Sequence, residues 1–265
     1  MSGLPGLLAH PDEALALLRP RPACVFTDID GPLSPIVADP AAATVPDSTR
    51  AALRALAERI AVVALTGRSV ADARRIVGLD TLVYSGNHGA EWWEAGIASV
   101  EPAVEPYLPR VREIAEAVES GIGTPGILLE EKGASLSVHY RNTKVPGSAR
   151  RDILGFLDEH ARGMAIREGK MVVEIRAPVP LSKGEAVRSF IRCRGLASAL
   201  VLGDDRTDAE AFAVVRQMRE AGEVHGLCAG VATADAPAEL LEVADYALAD
   251  TETVGAFLAL MTSEL

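Results

Sequence analysis

ACVFTDIDG, residues 23–31, is the stretch on which the fold turns: an unbroken apolar run, Ala23 to Thr27, that ends in Asp28, Ile29, Asp30 and Gly31. A short run without polar alternation suits a strand buried on both faces of a sheet. Acids placed directly after such a strand put carboxylates at the carboxyl end of the sheet, where open α/β folds bind their ligands. Working outward, PDEALALL (11–18) upstream reads as a short helix with Pro11 in its first turn. Downstream, the Pro-rich loop GPLSPIVADP (31–40) leads to a helix starting near Asp47 that carries Leu53 and Leu56. IAVVAL (60–65) is a second buried strand and TLVYSG (81–86) a third. Between these two, Ser69 and Asp72 open a helix in the manner of a capping box. Strand and helix alternate, so the expected class is α/β, a parallel sheet with helices on both faces.

The middle of the chain breaks this rhythm. A helix over 108–119 precedes two strands, GILLEEK (126–132) and ASLSVHYR (134–141). A helix over 148–162 precedes two more, MAIRE (164–168) and KMVVEIRA (170–177). In ASLSVHYR, Leu136, Val138 and Tyr140 point one way, and Ser135, Ser137, His139 and Arg141 the other. One-sided strands with helices on the opposite face make a small α+β layer. Past Pro180 the first rhythm resumes: SKGEAVRSFIRC as helix, ALVLGDD as strand, DAEAFAVVRQM as helix, VHGLCAG and ADYAL as short strands, then a last helix through Leu258. The reading is a core of residues 1–104 and 180–265 interrupted by an inserted lid, residues 105–179.

Composition limits the partners. The 265 residues are 49% hydrophobic, only 4% aromatic and carry a formal net charge of −11, so the core is aliphatic and the surface acidic. Such a chain repels nucleic acid and anionic membrane surfaces, and neither is expected as a partner. No signal-peptide pattern opens the chain and no stretch reaches the roughly 18 apolar residues of a membrane helix. Cys24, Cys193 and Cys228 are odd in number and far apart, as in reduced thiols. A cytoplasmic protein is the expectation.

Four features fall at predicted strand ends or helix starts. Asp28 and Asp30 lie two apart after a strand, so one carboxylate can attack phosphorus while the other moves the proton; an ordinary Asp-Gly turn has the same sequence. Thr66, Gly67 and Arg68 bring a hydroxyl and free N–H groups to a helix start, an anion site as well as a cap. Lys183 opens a helix, where its charge opposes the macrodipole unless carboxylates or a phosphoryl group face it. Asp204, Asp205 and Asp208 exceed what capping requires, and hard oxygen ligands suit Mg2+.

Together and in this order, Asp-x-Asp-Gly, Thr-Gly-Arg, Lys and Gly-Asp-Asp-x-x-Asp resemble the haloacid dehalogenase superfamily. With SGNHGAE (85–91), EEKGASLSVHYR (130–141), the segment holding Glu174 and LGDDRTDAEAF, nearly the whole chain resembles the trehalose-6-phosphate phosphatases. The resemblance implies a Rossmann-like core of the haloacid dehalogenase type with an inserted α+β cap. It further implies a Mg2+-dependent hydrolase acting through an aspartyl phosphate. Asp28 would be the nucleophile, Asp30 the general acid and base, and Thr66 and Lys183 the phosphoryl-holding pair. Asp28, the Asp30 carbonyl and Asp204 would hold the metal, supported by Asp205 and Asp208. Gly67, Arg68, Asn87 and His88 on the core, and Glu130, Lys132, His139, Arg141 and Glu174 on the lid, would bind the sugar phosphate. A small-molecule sugar phosphate is then the substrate, and the upstream sugar-phosphate synthase a candidate protein partner.

One departure stands out: Pro32 occupies a position where the family has Thr, and proline offers no N–H. It leaves open a phosphatase of another sugar or pseudo-disaccharide phosphate, and a non-catalytic sugar-phosphate sensor. Neither a Walker-type G-x-x-x-x-G-K nor a G-x-G-x-x-G after a strand is present, which argues against a nucleotide enzyme.

Overall fold

In the computed structural model, which describes residues 3–37, 39–169, 171–232 and 236–265, the chain forms two units. The first unit comprises Met1–Ser99 and Leu181–Leu265, the second Val100–Pro180. The first is built on eight strands. Six of them run parallel: β1 (Ala23–Thr27), β2 (Ala61–Leu65), β3 (Val83–Gly86), and then β10 (Ser198–Gly203), β11 (His225–Val231) and β12 (Tyr246–Leu248). Two more strands, β4 (Glu91–Glu94) and β5 (Ile97–Val100), extend the sheet beyond β3, and β4 pairs with β3 in antiparallel fashion. The order is β12-β11-β10-β1-β2-β3-β4-β5. The chain winds outward in one direction from β1 and in the other from β10, so the switch point lies between these two neighbours.

The period-2 geometry of a strand lets β1 serve two apolar layers at once. Ala23 and Val25 join one apolar layer, with Leu15, Leu53, Leu56, Ile76 and Phe257. Cys24 and Phe26 join the layer on the other face, with Val187, Phe190, Phe212 and Val215. Phe26 meets Phe190 edge to face at 5.7 Å. The first layer is supplied by α1 (Pro11–Leu18), α2 (Asp47–Ala57), α3 (Val70–Val77) and α9 (Thr251–Glu264). The second is supplied by α6 (Lys183–Arg194), α7 (Arg206–Glu220) and α8 (Ala238–Val243). Both faces being covered, the strands read as continuous apolar runs.

The β4–β5 pair is a difference from the sequence reading, which placed no strand between 87 and 104. Its connection is a two-residue turn in which Ala95 and Gly96 both have positive φ, 49° and 86°. Glycine tolerates that conformation but alanine does not signal it. β5 lies at the sheet edge with Ile97 exposed, so burial left no pattern to read.

In the second unit β6 (Leu128–Glu131), β7 (Ser135–His139), β8 (Ala165–Gly169) and β9 (Val172–Arg176) form an antiparallel sheet in the order β6-β7-β9-β8. Leu136, Val138, Val173 and Ile175 on one face pack with Val111, Ile114 and Val118 of α4 (Leu108–Gly121) and with Ile153 and Leu157 of α5 (Pro146–His160). Lys170, first residue of the predicted KMVVEIRA strand, lies outside the described residues. On the opposite face Ser135 and Ser137 are buried. Arg141, read as the end of the ASLSVHYR strand, falls instead in the turn after β7. No described helix is long and apolar enough to cross a membrane.

Candidate active site

Every core motif arrives at the carboxyl edge of the sheet because each follows a parallel strand or opens a helix there: Asp28 after β1, Thr66 after β2, Asp204 after β10 and Lys183 at the start of α6. Lys183 decides the electrostatics. Its side chain is 1% exposed, and its Nζ lies 2.8 Å from Asp28 Oδ2, 2.8 Å from Asp208 Oδ1 and 3.9 Å from Asp205 Oδ1. Burial disfavours the ammonium, but Asp208, Asp28 and Asp205 outweigh it and raise the pKa of Lys183 well above the ordinary lysine value. This is why a lysine tolerates the first position of α6; Ser182 supplies the cap there by accepting from Glu185 N.

Four carboxylates face that one ammonium, and the excess appears in their proton affinities. Burial pushes Asp28 well up, with Lys183 opposing and Asp208, Asp205 and Asp204 reinforcing. Asp204 is pushed up to about 7, first by burial and then by Asp208 and Asp205. Burial also pushes Asp208 up to about 6. Asp205 alone is lowered, because Lys183, the Thr207 hydroxyl and Asp208 N outweigh its burial.

Asp205 and Asp208 are structural as well as electrostatic. They form a reciprocal capping box for α7, and Asp208 Oδ2 also accepts from Asp204 N at 2.9 Å. Gly203 is required beneath it, since a Cβ there would stand 2.3 Å from Asp208 Cβ. The oxygens of Asp28, Asp205 and Asp208 lie within 4.8 Å of one another, a spacing a metal would accept. Lys183 Nζ already fills the middle of that trio, so a cation there would meet the ammonium. Asp204 is different. Its buried Oδ1 has no hydrogen-bond partner among the described residues, and its carboxylate lies against the turn after β1, where a Cβ on Gly31 would stand 2.2 Å from Asp204 Cγ.

That turn is well tied. Gly31 N donates to Ser34 O at 2.8 Å, and both Leu33 N and Ser34 N donate to Ile29 O. The turn makes all of these bonds with proline at position 32, which has no N–H to donate. The planar peptide directs the Asp30 carbonyl opposite to the Gly31 N–H, and that carbonyl accepts no hydrogen bond among the described residues. From α9, the Thr251 hydroxyl donates to Gly31 O at 2.6 Å, a tie the sequence did not reveal. Gly31 has φ +95°, which an L side chain rarely adopts. Gly31→Ala is therefore expected to displace Asp204 and to lower turnover by about 10²-fold, because a displacement near 1 Å is worth that much. Steady-state kinetics of the variant check this.

Thr66 is buried, and its Oγ1 accepts from Arg68 N at 3.2 Å, which leaves its hydroxyl able to donate elsewhere. Gly67 lies under the His88 ring, 2.7 Å from where a Cβ would be. Asn87 and His88 have positive φ, 49° and 56°, and sit with Gly89 between the Thr66 turn and the start of α6. Arg68 forks onto Asp30 and also reaches Asp72, a residue read from sequence only as a cap. In the second unit Glu130, Ser137 and Glu174 lie in one register row. His139 Nε2 is 2.8 Å from Glu130 Oε2, and Lys132 Nζ is 3.8 Å from both Glu130 and Glu174. Arg141 is exposed beyond β7.

A doubly wound parallel sheet with a carboxylate turn after its central strand, a buried lysine and a second acidic turn is the framework of the haloacid dehalogenase superfamily. Comparison with known proteins narrows this. The family model described as trehalose-phosphatase matches residues 26–242, and the chain belongs to that family. It is 35% identical over 229 residues (81% of this chain) to a trehalose-phosphate phosphatase of Mycobacterium marinum. It is 33% identical over 264 residues (92% of this chain) to one of Mycobacterium tuberculosis. The matched regions are 57% and 66% of those two proteins, so the chain spans roughly three-fifths of their length. The C-terminal domain of C. albicans trehalose-6-phosphate phosphatase has the same fold, with a TM-score of 0.75, 21% identity and 99% coverage of both chains.

Proposed function

We propose that this chain is a Mg2+-dependent phosphatase that hydrolyses trehalose 6-phosphate through an aspartyl phosphate on Asp28. The observation that carries the reading is the buried Asp28–Lys183 pair at the sheet edge, with Asp30 two residues on and Asp204 beside the same turn. Family membership supports the choice of substrate. In this reading residues 1–104 and 180–265 do the chemistry, and residues 105–179 select the sugar.

The residues fit a divalent cation. Asp204 Oδ1 and the Asp30 carbonyl lack partners among the described residues, and four carboxylates face one ammonium. Asp28, Asp204 and the Asp30 carbonyl would hold it, with Asp205 and Asp208 fixing Asp204 from behind. Bound there, Mg2+ supplies positive charge to the phosphoryl oxygens.

The chain's own groups account for the rest. A carboxylate oxygen of Asp28 bonds to phosphorus as the bond from phosphorus to the sugar oxygen breaks. That leaving oxygen takes the proton of the Asp30 carboxyl. Water then attacks phosphorus, gives its proton to Asp30, and releases phosphate with Asp28 restored. Lys183 neutralises Asp28 and the phosphoryl group, and Thr66 donates its free hydroxyl hydrogen to a phosphoryl oxygen. On the lid, Glu130, Lys132, His139 and Glu174 present paired polar groups to the sugar hydroxyls.

Phosphate release from a panel of sugar phosphates, with Mg2+ and with chelator, tests the reading. Release is expected from trehalose 6-phosphate with Mg2+ and none in chelator; release from a different member alone, or full activity in chelator, overturns it. Glu130→Ala should lower kcat/KM on trehalose 6-phosphate about tenfold or more, since a buried partner left unsatisfied costs about 1–3 kcal/mol. The same change should spare a small aryl phosphate.

A further inference from the structure

We propose that Arg68 is a positioning residue for proton transfer: its guanidinium fixes the carboxylate of Asp30 and is itself aimed by Asp72. This rests on the reading of Asp30 as general acid and base. Arg68 Nε donates to Asp30 Oδ2 at 2.6 Å and Nη2 to Asp30 Oδ1 at 2.7 Å, a two-point fork. Its Nη1 donates to Asp72 Oδ2 at 2.5 Å and to Pro40 O at 3.1 Å. Arg75 holds the other oxygen of Asp72 from two donors, Nε at 3.0 Å and Nη2 at 2.6 Å. The result is an alternating row, Arg75, Asp72, Arg68 and Asp30, laid along the start of α3. Asp72 is anchored at its base, where its N–H donates to Ser69 Oγ.

The Arg68 side chain is 14% exposed and every one of its nitrogens already binds the protein. A residue recruited to read a phosphate or a sugar keeps its donors for it; Arg68 has given four of its five guanidinium N–H groups to the protein. A planar guanidinium gripping both oxygens sets the plane of a carboxylate as a single-point cation does not. Each oxygen of Asp30 retains a lone pair outside the fork. The fork therefore leaves Asp30 able to exchange a proton but fixes the direction in which it does so. Asp72, fixed by Arg75 and by its helix, fixes the guanidinium in turn.

The test compares Arg68→Ala, Arg68→Lys and Asp72→Asn in the Mg2+-loaded enzyme. It uses trehalose 6-phosphate and an aryl phosphate whose leaving group needs no proton. Arg68→Ala is expected to lower kcat on the sugar phosphate by about 10²-fold with KM nearly unchanged, and to lower it less than about tenfold on the aryl phosphate. Guanidinium ion added to Arg68→Ala should restore part of the rate. Arg68→Lys should remain impaired, and Asp72→Asn should show the same split more weakly. A rise in KM with kcat intact would mean that Arg68 touches substrate. Equal losses on both substrates with a lower Tm would mean that it only supports the fold. Either result overturns the proposal. The Asp30→Asn background separates this from failure of the underlying reading. If Asp30→Asn loses equally on both substrates, the acid role is wrong. Whatever that outcome, Arg68→Ala adds no further loss in that background if Arg68 acts through Asp30, and its full loss if it does not.

Discussion

Asp28→Asn is expected to reduce turnover by roughly 10⁴-fold or more while leaving the protein folded. The amide is nearly the same size and keeps the acceptor oxygen that Ile29 N bonds at 2.7 Å. It has no charge with which to attack phosphorus and cannot form the acyl phosphate. Stability should hold or rise. Asp28 lies 6% exposed with Asp208, Asp205 and Asp204 near it, so its ionised form is disfavoured in the fold, as its raised pKa records. Lys183 keeps Asp208 and Asp205 when Asp28 is neutralised. Phosphate release and thermal melting measure the two halves, with mass spectrometry to exclude deamidation of the introduced asparagine back to the acid. Turnover above a few per cent of the parent would remove Asp28 from the role of nucleophile.

Lys183→Met is expected to be damaging in both respects. Methionine matches the length of the side chain but removes the one ammonium among Asp28, Asp205 and Asp208. Breaking a buried pair from one side typically costs about 3–5 kcal/mol, since an uncompensated charge is left inside. For a domain of this size that corresponds to a fall in Tm of roughly 6–20 °C. Activity should fall as well, because Asp28 loses the one neighbouring charge that favours its ionised form. Combined with Asp28→Asn, the stability loss should be smaller than the sum of the single changes, as the two groups share one interaction. Additive losses would show that Lys183 matters through its packing alone.

The frame of this site could be read in the chain because its signals are local. Asp28 and Asp30 follow directly on β1, Asp204 on β10, and Lys183 stands where a helix start makes lysine unexpected. Doubly covered strands are continuous apolar runs, and those runs survive in the sequence as IAVVAL and ALVLG. What escaped reading depends on contacts across the chain or on weak turn chemistry. Arg68 and Asp30 are 38 residues apart, and Thr251 and Gly31 are 220 apart, with nothing local to announce either bond. Asp72 was legible as a cap, because its N–H meets Ser69, but its carboxylate serves Arg68. Ala95-Gly96 carries a hairpin turn without the asparagine that advertises one. In the second unit, alternation correctly placed Leu136 and Val138 inside. It could not tell that Ser135 and Ser137 are covered too, because a small hydroxyl side chain satisfies either setting.

The place of β1 between β2 and β10 has a consequence for the order in which a growing chain can fold. β2 is made soon after β1, but the other flank of β1 pairs Phe26 with Val201, which is made only after the entire second unit. The four strands of that second unit pair only with one another, from Leu128 to Arg176. Its sheet is thus of low contact order and can close while β1 still presents an open row of N–H and C=O groups. A nascent chain halted before Ser198 would carry a finished inserted unit beside an apolar strand with a bare edge, the kind of template on which chains aggregate. Asp208 and Thr251 follow β10 in the chain, so Lys183 gains its second carboxylate partner and the turn gains its tie only after that edge strand has been made. The charged centre is thereby completed among the last parts of the molecule, and a partly made chain holds Asp28 and Lys183 without the acids that follow β10.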